Sequence, residues 1–369
     1  MSASTATLPP AIAWFISAHG FGHAARSCAV MSAVHRLRPD VVFHLYTTVD
    51  ERFFDNSLPT AFRYHRLETD VGMVQKTPFA EDLPATIERL GRFYPCDAQR
   101  VDDLARRVQA RGCRLIVCDI APLGIAVGRR AGIATVLVEN FTWDWVYAGY
   151  RRYRRELAPF RRYLRDLFAA ADFHLQTRPV CRPTEADITT DPISRRPRTD
   201  AAALRRRLGI PPGAPMVVIT LGGTSRLFAY SGFSACPDAY LVIPGGGGKS
   251  MAGERVVRLP AHSDIFHPDL IHAADAVVGK AGYSTLAEVY AAGVPFGYVM
   301  RPGFRESAVL ERFVARHMPS LQIAERALGA GLTTDILTRL LSLPRAAGKQ
   351  RNGAEPAGDF ICAILEGRV

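Results

Sequence analysis

No apolar run in this 369-residue chain approaches the roughly 18–20 residues that a membrane-spanning helix needs. Residues Met1 to Pro10 carry no basic stretch, and the apolar segment that follows, Ala11 to Ala18, has only the length of a strand. No signal peptide is expected. Cysteine is sparse: Cys28, Cys96, Cys113, Cys118, Cys181, Cys236 and Cys362 are odd in number, scattered, and never in C-x-x-C spacing. That pattern excludes a disulfide framework and a spaced zinc site, and it predicts reduced thiols in a cytoplasmic protein. Cys118, closing a buried strand, reads as small apolar filler. There is no strict D-x-D motif, so a metal clamp on a diphosphate is not indicated; no metal ligands and no cofactor are expected. Acidic residues are also in deficit, 35 against 46 Lys and Arg, for a formal net charge of +11.

A basic balance suits nucleic acid, an anionic membrane surface or phosphorylated small molecules. Much of the excess lies in Tyr150 to Arg165. There Tyr153, Leu157, Phe160, Leu164, Leu167 and Phe168 recur at helical spacing, with Arg151, Arg154, Arg155, Arg161, Arg162 and Arg165 largely on the other side. The bland account is a solvated helix face. The functional one is peripheral contact with the inner face of a membrane, or with a lipid-linked or anionic acceptor. No nucleic-acid partner is expected.

Hydrophobic content of 48% with 22% charged residues is that of a globular protein, and the length suits two domains of roughly 150–200 residues. Short apolar runs alternate with helical patterns throughout. In the first half, strands are predicted at Ala11–Ser17, Val41–Thr47, Leu115–Cys118, Ala134–Val138 and Phe173–Gln176, with helices at His23–Leu37, Val101–Arg111 and Leu123–Ala131. In the second, strands fall at Met216–Leu221, Tyr240–Ile243, Arg255–Arg258, Ala276–Val278 and Phe296–Val299, with helices at Ile271–Ala274, Ser284–Ala292, Glu306–Arg316 and Thr334–Leu341. Such alternation predicts parallel sheets buried on both faces and an α/β architecture of two doubly wound, Rossmann-like domains across a cleft. Expected boundaries are an acceptor domain over 1–177, a proline- and arginine-rich linker over 178–200, a nucleotide-sugar domain over 201–345, and a polar tail with a short helix over 346–369.

Five motifs carry chemistry. Ser17 to Arg26 follows the first strand and opens the first helix. Gly20 and Gly22 let the backbone turn and approach a ligand, and His19 and His23 are poor core residues for so short a loop. The stretch also spells G-x-G-x-x-A, but the second strand ends Tyr46-Thr47-Thr48, without the acid a nicotinamide enzyme needs. Asp119 stands at the end of a central strand, where it either caps the next helix or serves a site. Should Asp119 and His23 share one switch point, the carboxylate can orient the imidazole and raise its basicity for general-base work. Glu139 to Trp145, with Asn140, Trp143 and Asp144, reads as a sugar-binding wall or as a packed loop. Gly222, Gly223 and Thr224 form a loop of phosphate-binding type. The strongest motif runs from Val278 to Pro295: Lys280 and Gly282 in a turn, Ser284 and Thr285 at a helix N-terminus suited to a diphosphate, and Glu288 one turn on, placed for ribose hydroxyls. Pro244 to Ser250 mimics a Walker A loop, yet Ile243 stands where that loop requires glycine.

The Val278–Pro295 motif resembles the nucleotide-sugar signature of GT-B enzymes, among them plant UDP-glycosyltransferases and the MurG-like family. Three ordered motifs, His19–Arg26, Asn140–Tyr147 and Gly279–Glu288, resemble the glycosyltransferase-like N-terminal region of plant L-arabinokinases and its stand-alone bacterial relatives. The resemblance spans nearly the whole chain. It implies a GT-B fold and inverting, metal-independent transfer from a nucleotide sugar to an acceptor hydroxyl, with a UDP-sugar of hexosyl or N-acetylhexosaminyl type favoured as donor. It further implies His23 as base and Asp119 as its partner. Gly222, Gly223, Thr224, Gly282, Ser284 and Thr285 become diphosphate contacts, Glu288 the ribose contact, and Arg305 with Glu306 the holders of the donor sugar. No G-L-[GS]-S-S loop occurs, so sugar-kinase activity does not transfer. A nucleotide-sugar 2-epimerase and a non-catalytic nucleotide-sugar-binding module remain the alternatives.

Overall fold

The computed structural model describes residues 9–77, 80–221, 239–245, 255–260, 263–301, 303–330, 332–348 and 350–369. The strands are β1 (Ala11–Ile16), β2 (Val42–Thr47), β3 (Phe62–Arg66), β4 (Gln75–Thr77), β5 (Ala80–Glu81), β6 (Cys113–Asp119), β7 (Thr135–Glu139), β8 (Phe173–Thr177) and β9 (Ile188–Thr190) in the first half. The second half holds β10 (Met216–Thr220), β11 (Tyr240–Pro244), β12 (Val256–Leu259), β13 (Ala276–Lys280), β14 (Phe296–Val299) and β15 (Ser320–Gln322). Seven strands form one sheet in the order β3-β2-β1-β6-β7-β8-β9 and six form another, β12-β11-β10-β13-β14-β15; β4 and β5 make a separate antiparallel pair. Every pairing within the two large sheets is parallel.

Parallel strands covered on both faces must be apolar on both, and β1 reads Ala-Ile-Ala-Trp-Phe-Ile with every residue buried. Ala11, Ala13 and Phe15 pack with Leu104 and Val108 of the helix Ala98–Ala110, Leu123 and Val127 of the helix Pro122–Ala131, and Leu164 and Phe168 of the helix Arg154–Phe168. Ile12, Trp14 and Ile16 pack on the opposite face with Cys28 and Met31 of the helix Gly22–Leu37 and with Ala357 and Ile361 of the helix Ala354–Leu365. In the second sheet Val218 and Val277 face one layer while Val217, Ile219 and Val278 face the other. The order of each sheet reverses at its centre, between β1 and β6 and between β10 and β13. Those two switch points leave crevices at the carboxyl ends, where Ile16 pairs with Asp119 and Thr220 with Gly279.

Two later segments add to the first sheet's layers. Within 178–200 the chain supplies β9, whose Ile188 pairs with Leu175. The last helix, Ala354–Leu365, lies against Gly22–Leu37, with Arg38 bonded to Glu366 at 2.9 Å and Arg36 bonded to Glu355. Contact is close because residue 358 is glycine: a Cβ there would stand 2.7 Å from the Ala33 Cβ and 3.2 Å from the Ala33 backbone carbon. Gly358→Val is therefore expected to cost about 1–3 kcal/mol by overpacking. Thermal unfolding of the full chain reads this as a lowered Tm, and an unchanged Tm would contradict the packing.

Candidate active site

The two crevices open onto one cavity lined from both halves, by His19, Gly20, Gly22, His23, Arg26, Asn140 and Phe141 on one side and by Lys280, Gly282, Ser284, Thr285, Arg301 and Glu306 on the other. On the first side the chain leaves β1, turns through Gly20 with φ of 78°, and starts its first helix with no side-chain cap at Phe21. His23, Arg26 and Ser27 are then spaced i, i+3, i+4, so one helix face presents all three toward the end of β6.

Asp119 receives them. It is 1% exposed, and its Oδ1 lies 2.8 Å from His23 Nδ1. Arg26 grips both oxygens, Nε to Oδ2 at 2.9 Å and Nη2 to Oδ1 at 2.5 Å, and the Ser27 hydroxyl donates to Oδ2 at 3.0 Å. Burial alone would push this carboxyl up; the charge and hydrogen bonds of Arg26, joined by those of His23, outweigh it and hold the group below the usual range. Arg26 also donates through Nη1 to Asn140 Oδ1, and Asn140 Nδ2 donates to the Thr177 carbonyl at 2.6 Å. Directly after Asp119, Ile120 sits at φ of 50°. A β-branched residue in the left-handed region costs on the order of 1–3 kcal/mol and persists only where its surroundings enforce it.

Asn140 thus supports the site through Arg26, and Phe141 lines the cavity with its ring 6.2 Å from that of His23. Trp143 is placed differently from a sugar-binding wall. It is fully buried, and its indole N–H donates to Asp70 Oδ2 at 2.7 Å. Asp144 is 8% exposed and faces Arg182 at 3.6 Å. His19 packs edge-on to Trp143 with ring centres 5.1 Å apart, and its Nδ1 accepts from the Met73 backbone N–H at 3.3 Å. Burial first, then the charges of Arg301, His23 and Lys280, push the His19 pKa well below its ordinary value. This imidazole is kept neutral.

Across the cleft the helix Tyr283–Ala292 opens at Gly282 with no side-chain cap, and its first-turn amides face the cavity that Ser284 and Thr285 line. The two halves meet closely here: a Cβ on Gly22 would lie 3.7 Å from Ser284 Oγ. Burial, reinforced by Arg301, pushes the Lys280 amine down to about 8. Glu306 is raised by its burial; Arg301 donates to its Oε1, while its buried Oε2 has no partner. Arg305 turns out of the cavity instead. Its guanidinium lies over the Trp145 ring, 4.2 Å from the centroid, and donates to the Trp145 carbonyl, joining the halves at the rim.

Glu288 lies behind the cavity at 5% exposure. Arg195 donates to Oε1 at 2.8 and 3.1 Å, and His267 Nδ1 lies 2.7 Å from Oε2. Burial opposes its ionisation, yet Arg195 and His267 pull it down to about 2. Gly222, Gly223 and Thr224 lie outside the described residues.

Several members of the site carried no assigned role in the sequence, among them Arg26 and Asp70. Arg26 had a signal, its helical spacing from His23. Asp70 had none: it lies in the loop after β3 and gathers the Ser17 hydroxyl at 2.7 Å together with Trp143. Burial pushes its carboxyl up to about 6, against the Ser17 hydrogen bond and the His23 charge. A folded-state pKa above the unfolded value means the favourable contribution is present below about pH 4 and lost as pH rises through about 6. Asp70→Asn keeps an acceptor for both donors and removes the ionisation. It is expected to gain up to about 3 kcal/mol over the parent at pH 8 and nothing at pH 4, at ~1.4 kcal/mol per pKa unit. Denaturant unfolding at the two pH values checks this, and an equal difference at both would contradict it.

No family profile matches the chain. It is 26% identical over 366 residues to L-arabinokinase of Arabidopsis thaliana, covering 96% of this chain and 34% of that protein, so it spans about a third of that relative's length. Among solved structures it resembles the spinosyn forosaminyltransferase SpnP (TM-score 0.58, 15% identity, 97% of this chain and 94% of that one). It also resembles MurG of Acinetobacter baumannii (0.53, 15%, 96% and 99%) and a UDP-glucosyltransferase of Polygonum tinctorium (0.56, 14%, 97% and 99%). Two parallel Rossmann-like sheets with their switch points facing one cavity, superposable over nearly the full length of these transferases, give the chain the GT-B fold.

Proposed function

We propose that the chain is an inverting glycosyltransferase that moves a sugar from a nucleotide-sugar donor to an acceptor hydroxyl. The carrying observation is the 2.8 Å contact of His23 Nδ1 with the buried Asp119, inside a cavity whose far wall is an uncapped helix N-terminus. With Nδ1 engaged, Nε2 is the nitrogen left to take the acceptor proton. The oxygen then attacks the anomeric carbon from the face opposite the leaving nucleoside diphosphate, and configuration inverts. Charge developing on the diphosphate is met by the amides of residues 283–285, the helix dipole (about half a unit charge) and Lys280. Asp119 stabilises the imidazolium formed in the step, with Asp70 and Glu306 close enough for their charges to be felt at His23.

A UDP-sugar of hexosyl or N-acetylhexosaminyl type is the favoured donor. The reading needs no metal, since helix and lysine supply the positive charge. Gly222, Gly223 and Thr224 complete the diphosphate contacts and Glu306 holds the donor sugar. Glu288, through Arg195 and His267, fixes the wall behind the nucleotide. A lipid-linked or otherwise anionic acceptor, bound at the inner face of a membrane in the cytoplasm, suits the basic helix beside the cleft.

His23→Ala is expected to lower turnover by about 10²–10⁴-fold while donor affinity, read by calorimetry, stays within twofold; undiminished turnover would overturn the assignment. Chelation with EDTA should leave the rate unchanged. Lys280 neutralises diphosphate only when protonated, so kcat/KM should fall as pH rises through about 8, and Lys280→Met should be slower and lack that alkaline limb.

A further inference from the structure

The basic helix beside the cleft encloses more than a charged face. Two adjoining hollows of about 240 and 200 Å³ lie against it, and both are lined by Arg154 and Arg161. Arg151 and the Tyr147–Tyr150 turn complete the first; Arg162 and Arg165 complete the second. Asp144 is the single acidic side chain lining either one among the described residues, and it already faces Arg182 at 3.6 Å. Arg165 pairs with Asp166 at 3.0 Å, whereas Arg151, Arg154, Arg161 and Arg162 make no ion pair among the described residues. Like charges gathered on one helix face repel at a few tenths of a kcal/mol per pair, and among the described residues no carboxylate pairs with these four.

One atom is decisive. Arg161 Nε is buried and has no hydrogen-bond partner. A buried unpaired N–H costs about 1–3 kcal/mol, and native proteins seldom leave one unsatisfied. Its charge reaches Arg305, whose pKa is lowered by burial first and by Arg161 next.

We propose that the Arg154–Arg161 hollows form an anion site for a phosphate monoester or diphosphate group, separate from the nucleotide-sugar cavity. Guanidinium forks suit an anion that presents several oxygens at once, as a phosphate monoester or a diphosphate does. The site does not rest on the transfer chemistry. The same group could arrive on a lipid headgroup or on a soluble phosphorylated compound.

The test titrates inorganic pyrophosphate into the full chain and into the Arg154→Gln/Arg161→Gln variant by calorimetry, with UDP as a second titrant. Pyrophosphate affinity is expected to fall about tenfold or more in the variant, as loss of charge-assisted hydrogen bonds requires, while UDP affinity stays within twofold. No pyrophosphate binding to the parent, equal binding to both proteins, or a parallel loss of UDP affinity would each overturn the site. Should UDP fail to bind the parent, the donor reading fails while the pyrophosphate comparison still reports on the arginines. Phosphatidic acid vesicles that displace pyrophosphate, where phosphatidylcholine vesicles do not, would place the group on a lipid; absence of displacement would place it on a soluble compound.

Discussion

A carboxylate sealed from water must be paired, and Asp119 is the buried charge around which the first domain's functional edge is organised. It stands at the end of β6 and holds the first helix through His23, Arg26 and Ser27. Arg26 passes the connection to Asn140 after β7, and Asn140 passes it to Thr177 at the end of β8. One carboxylate thereby fixes the ends of three neighbouring strands and the entry of the helix that follows β1. Arg26 and His23 meet on this one carboxylate, with Arg26 Nη2 only 3.3 Å from His23 Nδ1. When the imidazole takes a proton, Asp119 alone cannot balance both, and the charges of Asp70 and Glu306 at His23 become part of the compensation.

The second domain answers with the opposite arrangement. Its positive charge is delivered by a helix N-terminus and by Lys280, and its carboxylate Glu288 is neutralised behind the wall by Arg195 and His267. Arg195 belongs to the segment between the sheets and also bonds Ser57 in the first domain at 2.9 Å. The residue that neutralises Glu288 therefore also makes a contact between domains. Arg305 against Trp145 makes another at the opposite rim.

Much of this was legible in the sequence where burial leaves one choice. The interior strands β1, β6, β7, β10, β13 and β14 are apolar on both faces, so their positions follow from composition alone. β3 is an edge strand whose alternation of Phe62 and Tyr64 with Arg63 and His65 lasts only four residues, and β9 is three residues among prolines; both are too short to stand out by pattern. His23 and Asp119 were legible as types at strand ends, and their meeting needed only the fold. Trp143 shows the limit: its sequence context fits a sugar wall or a packed core equally, and only the position of Asp70 decides that the indole turns inward. Glu288 shows another, because its partner Arg195 stands 93 residues away. Asp70 belongs to no motif at all.

In the proposed transfer Asp119 holds His23 through Nδ1, 2.8 Å away, so that Nδ1 is the donor and Nε2 the base. Imidazole ¹⁵N chemical shifts of the full chain, assigned through a His23→Gln variant, read this directly. The neutral ring is expected in the Nδ1–H tautomer, changing when Asp119 is replaced by asparagine. A ring carrying its proton on Nε2 in the parent would contradict the account.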